Sequence, residues 1–183
     1  MRIGITGGIG SGKSFVCRLL GKHQIEVYDC DAAAKKLMRT EPLKQQLTTL
    51  IGPNTYNEQG ILNKAAVAQF LLASPENALA IDRIVHPAVF KDYLNSGINW
   101  VESAILYESG LDKLVNKVVV VTAPEEVRIE RVMLRDGISR EKAMEWIARQ
   151  LPQEEVRSRA DFEIINDGQQ ELEPQIDFIL KQL

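Results

Sequence analysis

The chain has 183 residues, of which 45% are apolar and 26% charged, and its formal net charge is −3. A chain of this size can bury most of the surface that it exposes when unfolded, so we expect one compact domain without disulfides or structural metals. The acidic balance argues against bulk attraction to nucleic acid, which depends on neutralising many phosphates. No apolar run approaches the roughly 20 residues of a membrane span. The short apolar start does not resemble a signal peptide, so we expect a cytoplasmic protein.

Five short apolar runs are predicted to be strands, and longer helical patterns separate them. The predicted strands are 2–6, 25–28, 99–106, 117–122 and 162–165. The predicted helices outside the interval between the second and third strands are 13–22, 124–135, 139–151 with Ser139 as N-cap, and 171–183. This alternation is typical of βαβ units, so we predict an α/β fold with a five-stranded parallel sheet flanked by helices.

The interval between the second and third predicted strands is too long for a plain crossover, which needs about a dozen residues. Residues 43–51 have helical spacing, and residues 52–60 resemble a loop. Asn63 and Ser74 are predicted N-caps, with Pro75 following in the first turn of the second helix. We interpret the interval as a helical insertion that builds a substrate pocket.

Residues 7–14, Gly-Gly-Ile-Gly-Ser-Gly-Lys-Ser, fit the phosphate-loop pattern G-x-x-x-x-G-K-[ST]. They directly follow a predicted strand and open a predicted helix, which is the context that the pattern requires. Four glycines let successive N–H groups converge on one anion, and the helix N-terminus adds further donors. We expect Lys13 to reach the β- and γ-phosphates of a nucleotide and Ser14 to ligate Mg²⁺.

A phosphate loop indicates a nucleotide but does not identify the reaction. A guanine site would need Asn-Lys-x-Asp after a late strand, and the nearest candidate, residues 116–119, lacks the aspartate. Transport ATPases and motors usually carry an acidic pair at the end of an apolar strand, whereas residues 105–108 end in one carboxylate. These features favour a small-molecule kinase with the P-loop NTPase fold.

Asp29 and Asp31 follow the second predicted strand. Ligands of open parallel sheets bind at the carboxyl ends of strands, so both carboxylates are expected near the phosphate loop. A carboxylate beside an acceptor hydroxyl can orient it and accept its proton. Alternatively, one of the two aspartates simply N-caps the helix that begins at Ala32.

Seven of the chain's eleven arginines lie between residues 128 and 159. The planar guanidinium suits phosphate recognition, and a helical pair carrying it can close over ATP as a lid. Acidic residues are interspersed, so part of this segment is alternatively a solvated, salt-bridged face. We expect two or three of the seven to contact phosphate, and Arg131, Arg135 and Arg140 are the best candidates. On physical grounds His86 is more often a structural residue than a catalytic one.

These motifs together resemble the dephospho-coenzyme A kinase family along nearly the whole chain. The segments that carry the likeness are residues 5–14, 29–31, 84–87, 106–108, 131–139, 149–150 and 160–168. The resemblance implies transfer of the γ-phosphate of Mg·ATP to the ribose 3′-hydroxyl of dephospho-coenzyme A. Three positions depart from the family's usual residues: Phe15 replaces Thr, Cys30 replaces Ala and Ala104 replaces Pro.

The resemblance also assigns roles to residues. Asp31 is implied to be the general base with Asp29 in support, and Lys13 and Arg140 are implied to act in catalysis. The residues implied to bind ATP are Gly8, Gly10, Ser11, Gly12, Lys13, Ser14, Phe15, Arg131, Arg135 and Asn166. Those implied to bind the acceptor are Thr6, Asp31, His86 and Glu108.

The expected organisation is one P-loop kinase domain in three parts. The core comprises about 1–30, 97–127 and 160–183, the insertion about 31–96 and the lid about 128–159. We expect a monomer or weak homo-oligomer. Two alternatives stay open at this point: another P-loop kinase, such as an adenylate or shikimate kinase, and a nucleotide-dependent binding switch that hydrolyses ATP slowly.

Overall fold

The computed structural model describes all 183 residues. Its strands are β1 (Ile3–Thr6), β2 (Val27–Asp29), β3 (Trp100–Glu102), β4 (Lys117–Thr122) and β5 (Phe162–Ile165). They form one sheet in the order β2-β3-β1-β4-β5. Strand β1 runs parallel to both β3 and β4, and β4 runs parallel to β5. The predicted five-stranded parallel sheet flanked by helices is confirmed.

Nine α-helices accompany the sheet, together with a 3₁₀ helix at Leu111–Leu114. The α-helices are α1 (Lys13–Lys22), α2 (Cys30–Leu37), α3 (Glu41–Ile51), α4 (Lys64–Ala73), α5 (Glu76–Ser96), α6 (Glu125–Asp136), α7 (Arg140–Ala148), α8 (Gln153–Arg159) and α9 (Leu172–Gln182). None of them combines the length and apolar character needed to cross a membrane.

The chain divides into two compact units, one formed by Met1–Tyr28 with Ile98–Leu183 and the other by Asp29–Gly97. Strand β4 runs through the middle of the first unit, and Val118–Val121 are all buried. Such a continuous apolar run is typical of a central parallel strand that is covered on both faces. The core on one side of the sheet consists of Ile3, Ile5, Val16, Leu19, Leu20, Val119, Val121, Ile164, Ile176 and Ile179.

The second unit is helical, and α5 packs against α2, α3 and α4. The buried side chains of α5 are Val85, Val89 and Tyr93, which recur every four residues and therefore lie on one face of the helix. The loop between α3 and α4 is bonded to the end of α2, because the Tyr56 hydroxyl donates to the carbonyl oxygen of its C-cap residue, Met38, at 2.7 Å.

Two predicted elements end several residues earlier in the structure. Strand β3 ends at Glu102 rather than at residue 106, because the chain turns at Ser103, whose hydroxyl oxygen accepts from the Ile105 N–H. The predicted helix 139–151 is too long, since α7 ends at Ala148, and the following helix α8 lies outside the predicted helices. At the start of α5, Pro75 directly precedes the helix and the Ser74 hydroxyl oxygen accepts from the Glu76 N–H at 3.3 Å, which is the contact expected of the predicted cap.

Asn63 offers a direct test of the second unit's stability, because its side chain accepts from the N–H groups of Ala65 and Ala66 at the start of α4. Asn63→Ala leaves these donors without a protein acceptor, so we expect the free energy of unfolding to fall by about 1 kcal/mol in urea denaturation. Asn63→Asp keeps a capping oxygen and should unfold close to the wild type. Equal losses in the two variants would contradict the assignment of this cap.

Candidate active site

The predicted phosphate loop, residues 7–14, joins β1 to α1. Gly10 and Gly12 have φ angles of +81° and +93°, in the left-handed region that favours glycine. A Cβ on Gly10 would lie 2.5 Å from the Arg128 carbonyl oxygen, so no larger residue fits without a backbone shift. Gly12 is the N-cap of α1. The loop therefore leads straight into a helix N-terminus, where backbone N–H groups and the helix dipole favour an anion.

The carbonyl groups of the loop are bonded to side chains from elsewhere in the first unit. The Arg128 Nε donates to the Ile9 carbonyl oxygen at 3.0 Å, and the Asn166 Nδ2 donates to the Ser11 carbonyl oxygen at 2.8 Å. Arg131 joins this set through Nη1, which donates to the Asn166 carbonyl oxygen at 3.0 Å and makes longer contacts with the loop. These bonds hold the loop from its carbonyl side.

Arg128 is almost completely buried, with 5% of its surface exposed. Burial lowers the pKa of its guanidinium, and the nearby Glu125 carboxylate opposes that shift. The guanidinium passes so close to Gly8 that a Cβ there would lie 2.1 Å from Nη2. Arg128 therefore packs directly against Gly8 and leaves no room for a side chain at position 8, which explains the glycine there.

Two side chains of the loop are buried and carry polar groups. The Lys13 ammonium lies 3.9 Å from the Glu102 carboxylate, and both side chains are about nine-tenths buried. The Ser11 hydroxyl is buried without a hydrogen-bond partner in the protein. An unsatisfied buried hydroxyl costs free energy unless a ligand bonds to it, so its presence fits a loop that takes up a polar ligand. Ser14 and Phe15 are exposed.

The remaining nucleotide candidates divide into two groups. Arg131 and Asn166 contact the loop, as described above. Arg135 is paired instead with Asp136 at 2.7 Å, and Arg140 with Glu126 at 2.7 Å. Hydrogen bonds to these carboxylates raise the pKa of both guanidinium groups. The alternative of a salt-bridged face therefore describes Arg135 and Arg140 in this structure.

Glu108 and Thr6, two of the predicted acceptor residues, lie in the first unit. Thr6 is buried at the end of β1. Glu108 lies in the turns that follow β3, and its Oε1 accepts from the Leu151 N–H at 3.2 Å, two residues before α8 begins. Glu108 thus connects the segment after β3 with the turn between α7 and α8.

Asp29, Asp31 and His86 belong to the second unit. The Asp29 carboxylate accepts from the Ala32 N–H at 2.9 Å and N-caps α2, while Asp31 lies in the first turn of the same helix. His86 lies inside α5, with its Nε2 3.5 Å from the Asp82 carboxylate and its ring stacked on Phe90. Asp29 is therefore the N-cap of α2.

Three residues that contact the loop were not among the predicted site residues: Glu102, Arg128 and Gln150. Glu102 ends an apolar strand, which is a signal that could have drawn attention to it before Glu108. Arg128 belongs to the arginine-rich segment but could not be singled out there, because the sequence does not show which arginine faces the loop. The Gln150 side chain accepts from the Ile9 N–H at 2.7 Å, and no local pattern predicts that contact.

Comparison with known proteins identifies the family. The family model for dephospho-CoA kinase matches residues 1–171. The chain belongs to the dephospho-CoA kinase family. A dephospho-CoA kinase from Bacteroides fragilis is 43% identical over 186 residues, which span 96% of this chain and 89% of that protein.

Solved structures share the fold of this chain. The crystal structure of TT1252 from Thermus thermophilus has a TM-score of 0.86 and 34% identity, and the match covers 100% of this chain and 97% of that one. Shikimate kinase from Acinetobacter baumannii, in complex with shikimate, has a TM-score of 0.60 at 16% identity, with 99% and 93% covered, and shows a shared fold only. The fold is that of the P-loop kinases, and the chain is a kinase that transfers phosphate to an alcohol group.

Gly10 provides a test of the loop geometry. Gly10→Ala places a Cβ against the Arg128 backbone at a left-handed φ, so we expect the free energy of unfolding to fall by at least about 1–2 kcal/mol. ADP affinity, measured by titration calorimetry, should fall with it. Gly21→Ala is the matched control, because a Cβ there meets nothing within 4 Å and a helical alanine is favoured by up to about 1 kcal/mol. Equal stability of the two variants would contradict the described loop conformation.

Proposed function

We propose that this enzyme transfers the γ-phosphate of Mg·ATP to the ribose 3′-hydroxyl of dephospho-coenzyme A, the final step of coenzyme A synthesis. The observation that carries the proposal is the phosphate loop of residues 7–14, bonded from its carbonyl side and followed by a helix N-terminus, in a chain of the dephospho-CoA kinase family. Nucleotide phosphates are bound by such loops through backbone N–H groups.

Lys13 and Ser14 are the loop side chains with roles in this reaction. The Lys13 ammonium neutralises charge on the β- and γ-phosphates, which is the part that this lysine plays in phosphate loops. The Ser14 hydroxyl is an oxygen ligand for Mg²⁺, which binds through few protein groups and through the nucleotide's phosphates. When bound, the metal stabilises negative charge on the transferring phosphoryl group. The buried Ser11 hydroxyl supports a polar ligand at this loop.

Asp31 is the proposed general base. The acceptor's 3′-oxygen forms a bond to the γ-phosphorus, the bond from that phosphorus to the bridging oxygen breaks, and ADP leaves. The proton of the hydroxyl passes to the Asp31 carboxylate. Asp29 supports this role through its cap on α2, which orients the first turn that contains Asp31.

The other parts of the chain have roles of their own in this proposal. The insertion of about 31–96, including His86, binds the acceptor together with Thr6 and Glu108. The segment of about 128–159 is a lid over ATP, where Arg131, Arg135 and Arg140 supply positive charge. For Arg135 and Arg140 this requires exchange of the exposed carboxylates that they now contact for phosphate, and exposed ion pairs are weak enough to exchange. We place the enzyme in the cytoplasm as a monomer or weak homo-oligomer.

An ADP-release assay with Mg·ATP tests the acceptor. Dephospho-coenzyme A, AMP, shikimate and a sample without acceptor form the panel, and we expect release only with dephospho-coenzyme A. Release only with another acceptor would support kinase activity but contradict dephospho-coenzyme A as the substrate. Equal release without any acceptor would replace the proposal with the nucleotide-dependent switch.

Asp31→Asn tests the general base. The amide cannot accept the proton, so we expect turnover to fall by roughly 10²–10⁴-fold while the ATP affinity changes little. Asp29→Asn is the matched control, because asparagine also caps helices and should leave most of the turnover. Steady-state kinetics with calorimetric ATP titration separates the two effects. Near-normal turnover of Asp31→Asn would remove this residue from the mechanism.

A further inference from the structure

Ile9, at the tip of the phosphate loop, is held by three contacts from the segment that follows β4. Its N–H donates to the Gln150 Oε1 at 2.7 Å. Its carbonyl oxygen accepts from the Arg128 Nε at 3.0 Å. Its side chain packs against the apolar cluster of α6 and α7 that includes Ile129 and Ala143. Both polar backbone groups of Ile9 are therefore bonded to side chains from outside the loop.

Two hydrogen bonds from backbone N–H groups hold the turn that carries Gln150. It lies between α7 and α8, and its own N–H donates to the Ile147 carbonyl oxygen at 3.2 Å. The next N–H, that of Leu151, donates to the Glu108 carboxylate at 3.2 Å. Backbone bonds on either side of the Cα thus hold Gln150 in place. A side chain on such a braced turn can define the position of the group that it contacts.

We propose that Gln150 is a positioning residue for phosphoryl transfer, which acts by holding the N–H of Ile9 and so the tip of the phosphate loop. This inference rests on the proposed function. Ile9 stands between Gly8 and Gly10, and glycines restrict the backbone little. The bond to Gln150 selects one orientation of the peptide group between Gly8 and Ile9. A displacement of about 1 Å in a phosphate-positioning group can cost about a hundredfold in rate.

The chemistry of the side chain supports this role. A glutamine oxygen accepts the Ile9 N–H without bringing a charge to the loop. A glutamate oxygen would accept the same bond but would place a negative charge beside a loop that binds phosphate, and like charges repel. Glutamine therefore combines the required acceptor with neutrality.

Gln153 gives a matched control, because its side chain makes the same kind of hydrogen bond outside the phosphate loop. Its Oε1 accepts from the Ala123 N–H at 3.1 Å, directly after β4. The bond has the same donor and acceptor groups as the bond of Gln150, in the same unit and three residues further along the chain. It does not involve the phosphate loop.

The experiment compares Gln150→Leu with Gln153→Leu in the full chain. Amide hydrogen exchange by NMR reports on Ile9 and Ala123, and steady-state kinetics gives kcat and the KM for ATP. For Gln150→Leu we expect exchange at Ile9 to rise at least about tenfold and kcat to fall about ten- to hundredfold, with a smaller change in KM. Gln153→Leu should raise exchange at Ala123 only and keep kcat.

A third variant keeps the proposal testable if Gln150→Leu folds poorly. Gln150→Glu keeps the acceptor, so the Ile9 N–H should stay protected, while the added charge should raise the KM for ATP. Unchanged exchange at Ile9 in Gln150→Leu, loss of protection in Gln150→Glu, or equal kcat in the two leucine variants would overturn the proposal. If the wild type phosphorylated no acceptor, the proposed function would fail separately. Exchange at Ile9 and the affinity for ADP would then decide the role of Gln150.

Discussion

The active-site end of the first unit depends on one constraint of backbone polarity. A loop that offers its N–H groups to a phosphate must have its carbonyl groups bonded elsewhere, because buried backbone groups without partners are costly. Here Arg128 donates to the carbonyl of Ile9 and Asn166 donates to that of Ser11. These bonds preorganise the loop before any nucleotide arrives, so less conformational entropy is lost on binding.

The order of the sheet supplies those donors. Strand β4 lies next to β1, and β5 lies next to β4, so α6 and the residues after β5 begin at the same edge of the sheet as the loop. Asn166 is tied to this edge as well, since its N–H donates to the Thr122 carbonyl oxygen at 2.8 Å. Three segments that are far apart in the sequence therefore meet around one loop. The topology and the hydrogen bonds of the loop support each other.

The sequence predicted those features of the structure that depend on residues close together along the chain. The phosphate loop, the continuous apolar run of β4 and the cap at Asn63 each depend on neighbouring residues, and all three are present. Partner choice among charged side chains is not local. Arg135 and Arg140 contact carboxylates, whereas Arg128 and Arg131 contact the loop. The sequence of residues 128–159 shows only that arginines are abundant. The face on which each of them lies depends on how α6 packs. The end of β3 was predicted too late, because an apolar run alone does not show where the chain turns.

The proposed function requires this loop to hold ATP for transfer of its γ-phosphate to the 3′-hydroxyl of dephospho-coenzyme A. The most direct measurement uses ATP labelled with ¹⁸O on the γ-phosphate and follows the labelled phosphorus by phosphorus NMR and mass spectrometry. We predict that the label is found as a phosphomonoester on the ribose 3′-oxygen. Label recovered only as free phosphate, with dephospho-coenzyme A unchanged, would contradict this function.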